Sequence, residues 1–230
     1  MRQKLLGIYR LLLAHYGPQA WWPARGPFEV MVGAILTQSA AWGNVEKAIE
    51  RLRDGRALSP AALRRTPVSE IAQLVYPSGY YNAKARKLKA LATFLGERWD
   101  DDLARLFARD VAELRQELLS VHGIGEETAD SIILYAAHRP IFVIDAYTRR
   151  ILSRLGLGAS PLHPSSFREG GGRMKGYAAW QRLFMNHLPQ KTALFNEYHA
   201  LLVRHGKETC RRAPRCGGCC LGGRCPYLAR

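Results

Sequence analysis

Val121-His122-Gly123-Ile124-Gly125 stands between two helix-forming stretches, Asp110 to Ser120 and Glu126 to Ala137, and decides how the rest of the chain is read. Two glycines one residue apart permit a tight turn and a close approach of backbone to a ligand. The helix that follows opens with free N–H groups and the positive end of its dipole. A phosphate oxygen can sit there without a cationic side chain. Ile124 is placed to pack between the two helices. The same five residues also suit an ordinary helix connection, so their surroundings must arbitrate.

The surroundings are basic. Among 230 residues, 34 Lys and Arg stand against 19 Asp and Glu, a formal charge of +15. Such an excess favours a polyanionic partner, nucleic acid before an anionic membrane. Apolar residues make up 47% of the chain, which excludes wholesale disorder. No apolar run approaches the roughly 20 residues that span a bilayer. Met1 to Tyr16 carries Arg2, Lys4 and Arg10 within its apolar pattern, which is an amphipathic helix and not a secretory signal. These features predict a cytoplasmic protein with no membrane partner.

The periodicity is helical almost throughout. Leu5, Leu6, Tyr9, Leu12 and Leu13 recur at helical spacing, and Gly17-Pro18 ends that helix. Phe28 to Gln38 is a near-continuous apolar run, long enough for a buried helix. Val45, Ala48, Ile49 and Leu52 mark another helix. Thr66-Pro67 reads as an N-cap and a first-turn proline opening a helix through Val75. From Asn82 a helix places Leu88, Leu91 and Leu95 inside and Lys84, Arg86, Lys87 and Lys89 outside. Ile141 to Ile144 is β-branched but too short to make a sheet, and Ser160 to Gly176 is loop-like. The expected class is all-α. A break near Ala137-Pro140 divides the helices into two groups, residues 22–136 and residues 1–21 plus 137–230.

All 5 cysteines fall between Cys210 and Cys225. A disulfide scaffold would spread them along the chain, whereas this clustering suggests a metal or cluster site. Cys210, Cys216, Cys219 and Cys225 are the candidate ligands, and four thiolates suit either a tetrahedral zinc or a [4Fe–4S] cluster. Cys220 is a spare, since adjacency to Cys219 makes joint ligation awkward. Arg211, Arg212, Arg215 and Arg224 surround the site.

The order of these motifs resembles the helix-hairpin-helix DNA glycosylases. Helix, hydrophobic-x-Gly-hydrophobic-Gly, helix, then an apolar stretch ending in Asp is that pattern. It is accompanied by Ile35-Leu36-Thr37-Gln38, Asn44-Val45-Glu46-Lys47-Ala48, Gly79-Tyr80-Tyr81-Asn82-Ala83-Lys84-Ala85 and the tail cysteines. The resemblance implies two helical lobes with a DNA cleft between them. One would be a six-helix barrel carrying the hairpin and the other would end in the cysteine loop. It also implies a monomeric, nucleoid-associated enzyme acting on double-stranded DNA with a damaged base. The family's catalytic aspartate falls at Asp145, where a fixed carboxylate would stabilise oxocarbenium character on the sugar or orient a water. Asp145 also suits plain helix capping, and both roles can hold together. The family's cluster loop has spacing six, two, five against five, two, five here, which implies a [4Fe–4S] cluster with zinc as the alternative.

Bifunctional members such as endonuclease III have a lysine two residues after the second hairpin glycine, where it acts as a Schiff-base nucleophile. Here that position is Glu127, which cannot form the adduct, so the resemblance implies a monofunctional glycosylase. Lys175, Lys191 and Lys207 have no spacing that recommends them as substitutes. Trp21-Trp22-Pro23, with Trp42 four residues after Gln38, resembles the narrower 3-methyladenine glycosylase group. That group would place Trp21, Trp22, Pro23 and Trp42 around a flipped base, with Glu127 and Lys207 as further pocket candidates. Stacking plus a cation–π gain of about 0.5–2 kcal/mol would favour an alkylated, cationic purine. Plain packing is the alternative for the tryptophans. On the DNA side, Gln38 would fill the vacated space and Tyr80 would wedge the stack. Gly123, Ile124, Gly125 and Thr128 would form the hairpin contact, and Lys84, Lys87 and Arg149 would reach phosphates. A glycosylase for mismatched or oxidised bases and a catalytically silent DNA-binding homologue remain the alternatives.

Overall fold

A computed structural model describes residues 1–157 and 176–227. The described residues form twelve α-helices and hold no strand. The loop-like stretch expected over 160–176 lies outside them except for Gly176, as does Lys175. The chain divides into two compact units, one of residues 22–139 and one of residues 1–21 with 140–230.

The first helix, α1 (Arg2–Tyr16), belongs to the second of these units. The 22–139 unit is built from α2 (Pro27–Leu36), α3 (Trp42–Asp54), α4 (Pro60–Arg65), α5 (Val68–Leu74), α6 (Tyr81–Trp99), α7 (Leu103–Phe107), α8 (Val111–Leu119) and α9 (Glu126–Tyr135). At its centre lies α2, whose residues Val30 to Leu36 are all buried. That burial explains a run apolar on every face and not on one stripe. Helices α3, α6 and α9 pack against it, and α4 and α5 pack on α6.

Two short helices escaped the periodicity, because neither is long enough to show one. Ser59 caps α4 by accepting the Ala62 N–H, and Asp102 caps α7 by accepting the Arg105 N–H. Thr66 does not cap α5 as expected. Its hydroxyl donates back to the Ala62 carbonyl, and Pro67 takes the N-cap position. The larger correction is Lys84, which is 1% exposed on the inner face of α6.

The other unit joins α1 to α10 (Ala146–Arg154), α11 (Tyr177–Met185) and α12 (Thr192–Glu208), followed by the cysteine tail. Helix α12 packs against both α1 and α10. Gly206 of α12 lets Tyr147 of α10 lie where a Cβ would otherwise stand. The segment Ile141 to Ile144 is buried, and Phe142 stacks on Phe184 with ring centroids 3.6 Å apart. Phe195 and Tyr198 meet Phe142 edge-on. The Gln181 side chain donates to the Phe142 carbonyl, and the Ile144 N–H donates to the Tyr177 hydroxyl. The backbone leading into α10 is thus held on both sides.

Candidate functional site

In the 22–139 unit the turn between α8 and α9 is as tight as its glycines allow. Gly123 has φ +84°, and a Cβ there would collide with the aliphatic stem of Lys87. Either condition alone disfavours a larger residue. Ile124 is buried and its N–H donates to the Val121 carbonyl. Gly125 is the N-cap of α9 and supplies no side-chain acceptor. The leading N–H groups of α9 therefore have no capping side chain, the condition under which a helix N-terminus takes an external anion. Glu127 is exposed in that first turn.

Gln38 lies against this hairpin. Its Nε2 donates to the Gly123 carbonyl at 3.1 Å and to the Thr128 hydroxyl at 2.9 Å, while Lys87 Nζ donates to its Oε1. Thr128 is buried, and its hydroxyl holds Gln38. Lys84, expected on the solvated face, is turned inward. Its Nζ donates to the carbonyls of Leu36, at 2.8 Å, and Ser78, at 2.7 Å. Burial, and then the charge of Lys87, push its ammonium down to about 8. Lys84 thus ties the end of α2, just before Gln38, to the loop that carries Tyr80. Tyr80 itself is 74% exposed with φ +46°, a left-handed conformation that places a bare aromatic ring at the loop tip.

Trp22 and Trp42 come together in this unit, with ring centroids 5.4 Å apart at 84°. Trp22 also packs against Tyr135 at 5.3 Å and over Gly33. Both tryptophans are half-buried, whereas Pro23 is exposed. Pro23 and Trp42 line an open surface depression with Arg25, Glu29, Glu46 and Lys47. Trp21, half-buried, ends the first stretch of the other unit.

In that other unit Asp145 is the N-cap of α10. Its Oδ1 accepts the Thr148 N–H at 2.7 Å, and the residue is 8% exposed. Its Oδ2 lies 3.8 Å from Nε2 of His199 on α12. Burial pushes the His199 imidazole down, the Asp145 carboxylate pulls it up, and the Lys207 ammonium pushes it down again. Asp145, His199 and Lys207 therefore share one electrostatic neighbourhood. The sequence reading missed His199. The available signal was its register on α12, where His199 follows Phe195 by four and precedes Leu202 by three on the buried face. Arg149, on α10, stacks its guanidinium 5.8 Å from the centre of the Tyr177 ring.

The four candidate cysteine ligands line one small cavity of about 30 Å³ with Ile151, Leu155, His205 and Leu221, and Cys220 is not among its walls. Arg154 Nη1 donates to the Cys210 sulfur at 3.2 Å, and His205 Nε2 lies 3.8 Å from the Cys219 sulfur. Four soft donors around one space, with N–H groups aimed at the sulfurs, fit a thiolate-held group. Among the described residues, no three His, Cys, Asp or Glu side chains converge closely enough for a single metal ion. Arg150 of α10 donates to the Cys210 carbonyl of the tail and to the Gly206 carbonyl of α12.

A glycine hairpin opening one helix, and a buried carboxylate capping another behind an apolar segment, define a helix-hairpin-helix protein of the DNA-repair type. The chain belongs to the HhH-GPD superfamily of base excision DNA repair proteins, whose family model matches residues 32–168, from α2 through Asp145 and α10. It is similar to a putative DNA repair glycosylase of Methanocaldococcus jannaschii, 40% identical over 92% of this chain and 91% of that protein. Its fold is also that of a non-covalent endonuclease III–DNA complex, with TM-score 0.80, 21% identity and coverage of 100% of this chain and 97% of that one. An H. pylori 3-methyladenine DNA glycosylase bound to 1,N6-ethenoadenine matches with TM-score 0.71 and 24% identity, over 90% of this chain and 96% of that one. At such identities these two structures speak for the fold alone.

Proposed function

We propose that this protein is a monofunctional DNA glycosylase that hydrolyses the N-glycosidic bond of an alkylated purine flipped from double-stranded DNA. The observation that carries the reading is Asp145, buried, with one carboxylate oxygen already taken by the Thr148 N–H. A carboxylate held in one rotamer costs no reorganisation when positive charge develops on the sugar. Leaving an abasic strand intact follows from Glu127, the second residue of α9, where a Schiff-base mechanism needs an amine. The pairing of Trp22, Trp42 and Tyr135 supports a flat, electron-poor base, since such a base is already a good leaving group and gains from aromatic faces. The +15 charge and the uncapped start of α9 support duplex DNA as the partner.

The cysteine loop is assigned a [4Fe–4S] cluster held by Cys210, Cys216, Cys219 and Cys225. Four thiolates sharing one space support a thiolate-held group, and the near match of their spacing to the family's cluster loop favours the cluster over zinc. Such a cluster supplies a rigid cross-link at the end of the chain. Arg154 and Arg150 hold the loop's backbone carbonyls and present it with Arg211, Arg212 and Arg215 exposed.

The test is incubation of the purified protein with duplexes carrying single methylated, deaminated, oxidised or mismatched bases, with and without alkali. Release of methylated purine with strand breaks only after alkali is the expected result. Breaks without alkali overturn the monofunctional assignment, and release confined to a deaminated, oxidised or mismatched base overturns the alkylated-purine assignment. Brown protein absorbing near roughly 400 nm supports the cluster, and colourless zinc-containing protein overturns it.

A further inference from the structure

His199 is the polar member of an otherwise apolar stretch of α12, where Phe195, Tyr198, Leu201 and Leu202 are buried with it. It is 7% exposed, and a leucine would fill such a position without the desolvation cost of an imidazole. What distinguishes the ring is its Nε2, which lies 3.8 Å from Oδ2 of Asp145. The carboxylate's other oxygen is taken by the Thr148 N–H at 2.7 Å. One oxygen is thus fixed by α10's own backbone, and the other is approached from α12. The 3.8 Å gap is too long for a hydrogen bond. Contacts of this kind are often long in the absence of substrate and tighten in the reacting complex.

Resting on the assignment of Asp145 above, we propose that His199 is a positioning residue that closes on Oδ2 of Asp145 and holds the carboxylate in register with the sugar. The imidazole acts as an N–H donor and does not touch the substrate. Burial and the Lys207 ammonium both keep it neutral, so it steadies the Asp145 charge without cancelling it. A packing role alone would be satisfied by any side chain of similar volume. A positioning role requires a donor at the Nε2 site, which glutamine supplies and leucine does not.

The experiment compares His199→Gln, His199→Leu and Asp145→Asn in the full-length protein. Single-turnover base release is measured on the duplex that the lesion panel selects, beside affinity for an abasic-site duplex and the melting temperature. His199→Leu is expected to lower the release rate by roughly 100-fold, the effect of a small misplacement of a reacting group. Its affinity for the abasic duplex should be unchanged, and His199→Gln should recover most of the rate. If both His199 variants release base at the wild-type rate while Asp145→Asn is inactive, the inference is overturned and Asp145 stands. If both lose rate, affinity and melting temperature together, His199 only packs, which also overturns it. If Asp145→Asn stays active, the underlying assignment fails, and the inference fails with it.

Discussion

The starts of α9 and α10 resolve one physical problem in opposite ways. Every helix opens with N–H groups that lack intrahelical partners. At α9 the N-cap is Gly125, which offers no side chain, and the residues before it turn through Gly123 at φ +84°. The cap position there supplies those donors with no side-chain acceptor. At α10 the N-cap is Asp145, whose Oδ1 takes the Thr148 N–H internally. Here the same orphan donors fix the direction of a carboxylate. The glycine end forgoes the stability of a side-chain cap. The aspartate end gains stability and aims a charge. Two helices that follow one another along the chain thus open in opposite ways, one without a side-chain cap and one with a capping carboxylate.

The sharpest way to break this contrast is Asp145→Asn. Asparagine caps a helix about as well as aspartate, so the melting temperature should hardly move. Base release should nevertheless fall by roughly 10²–10³-fold, because the charge facing the sugar is gone. A matching loss of stability would mean that Asp145 is a cap only.

Next in size is Lys84→Met, which tests whether the 22–139 unit is organised from beneath. Leaving the Leu36 and Ser78 carbonyls unsatisfied in the interior should cost about 2–3 kcal/mol in chemical denaturation. The pH dependence has a definite sign. The native ammonium titrates near 8 and the unfolded one near 10.5, so between these values the unfolded chain binds the extra proton. The wild type should therefore gain stability relative to Lys84→Met as pH rises through that window.

Gly123→Ala should come third. A left-handed backbone at a non-glycine costs roughly 1–2 kcal/mol, and Lys87 must also move. Duplex affinity, read by fluorescence anisotropy, should fall about tenfold if the anion site depends on the turn. The smallest thermodynamic effect belongs to Tyr80→Ala, within about 0.5 kcal/mol, since an exposed side chain away from packing contributes little. Its rate on duplex substrate should drop while its rate on the same lesion in single-stranded DNA should not, because only the duplex has a stack to wedge.

Residues whose role is local were legible in the sequence. The hairpin glycines, the capping position of Asp145 and the fully apolar α2 follow from backbone freedom, side-chain reach and periodicity within a few residues. The four cysteines around one cavity also follow from their clustering. Lys84 misled because the lysines of α6 looked like one solvated face, and nothing within α6 reveals that two distant carbonyls await one of them. The bond between Gln38 and Thr128 was hidden for a similar reason, since the two residues stand 90 positions apart. The helices α4 and α7 were too short to carry a period, although Ser59 and Asp102 marked their starts.

By itself, the amino-acid order determined that this chain is helical and basic, that two helices begin at Gly125 and Asp145, and that its thiols gather at one end. Local sterics, alternation of polarity and net charge suffice for those. Only the tertiary structure decided that Lys84 would be buried, that Gln38 would lie on the hairpin, and that His199 would face Asp145. Each of these joins residues dozens of positions apart, and such encounters are set by how helices pack, which no stretch of sequence encodes alone.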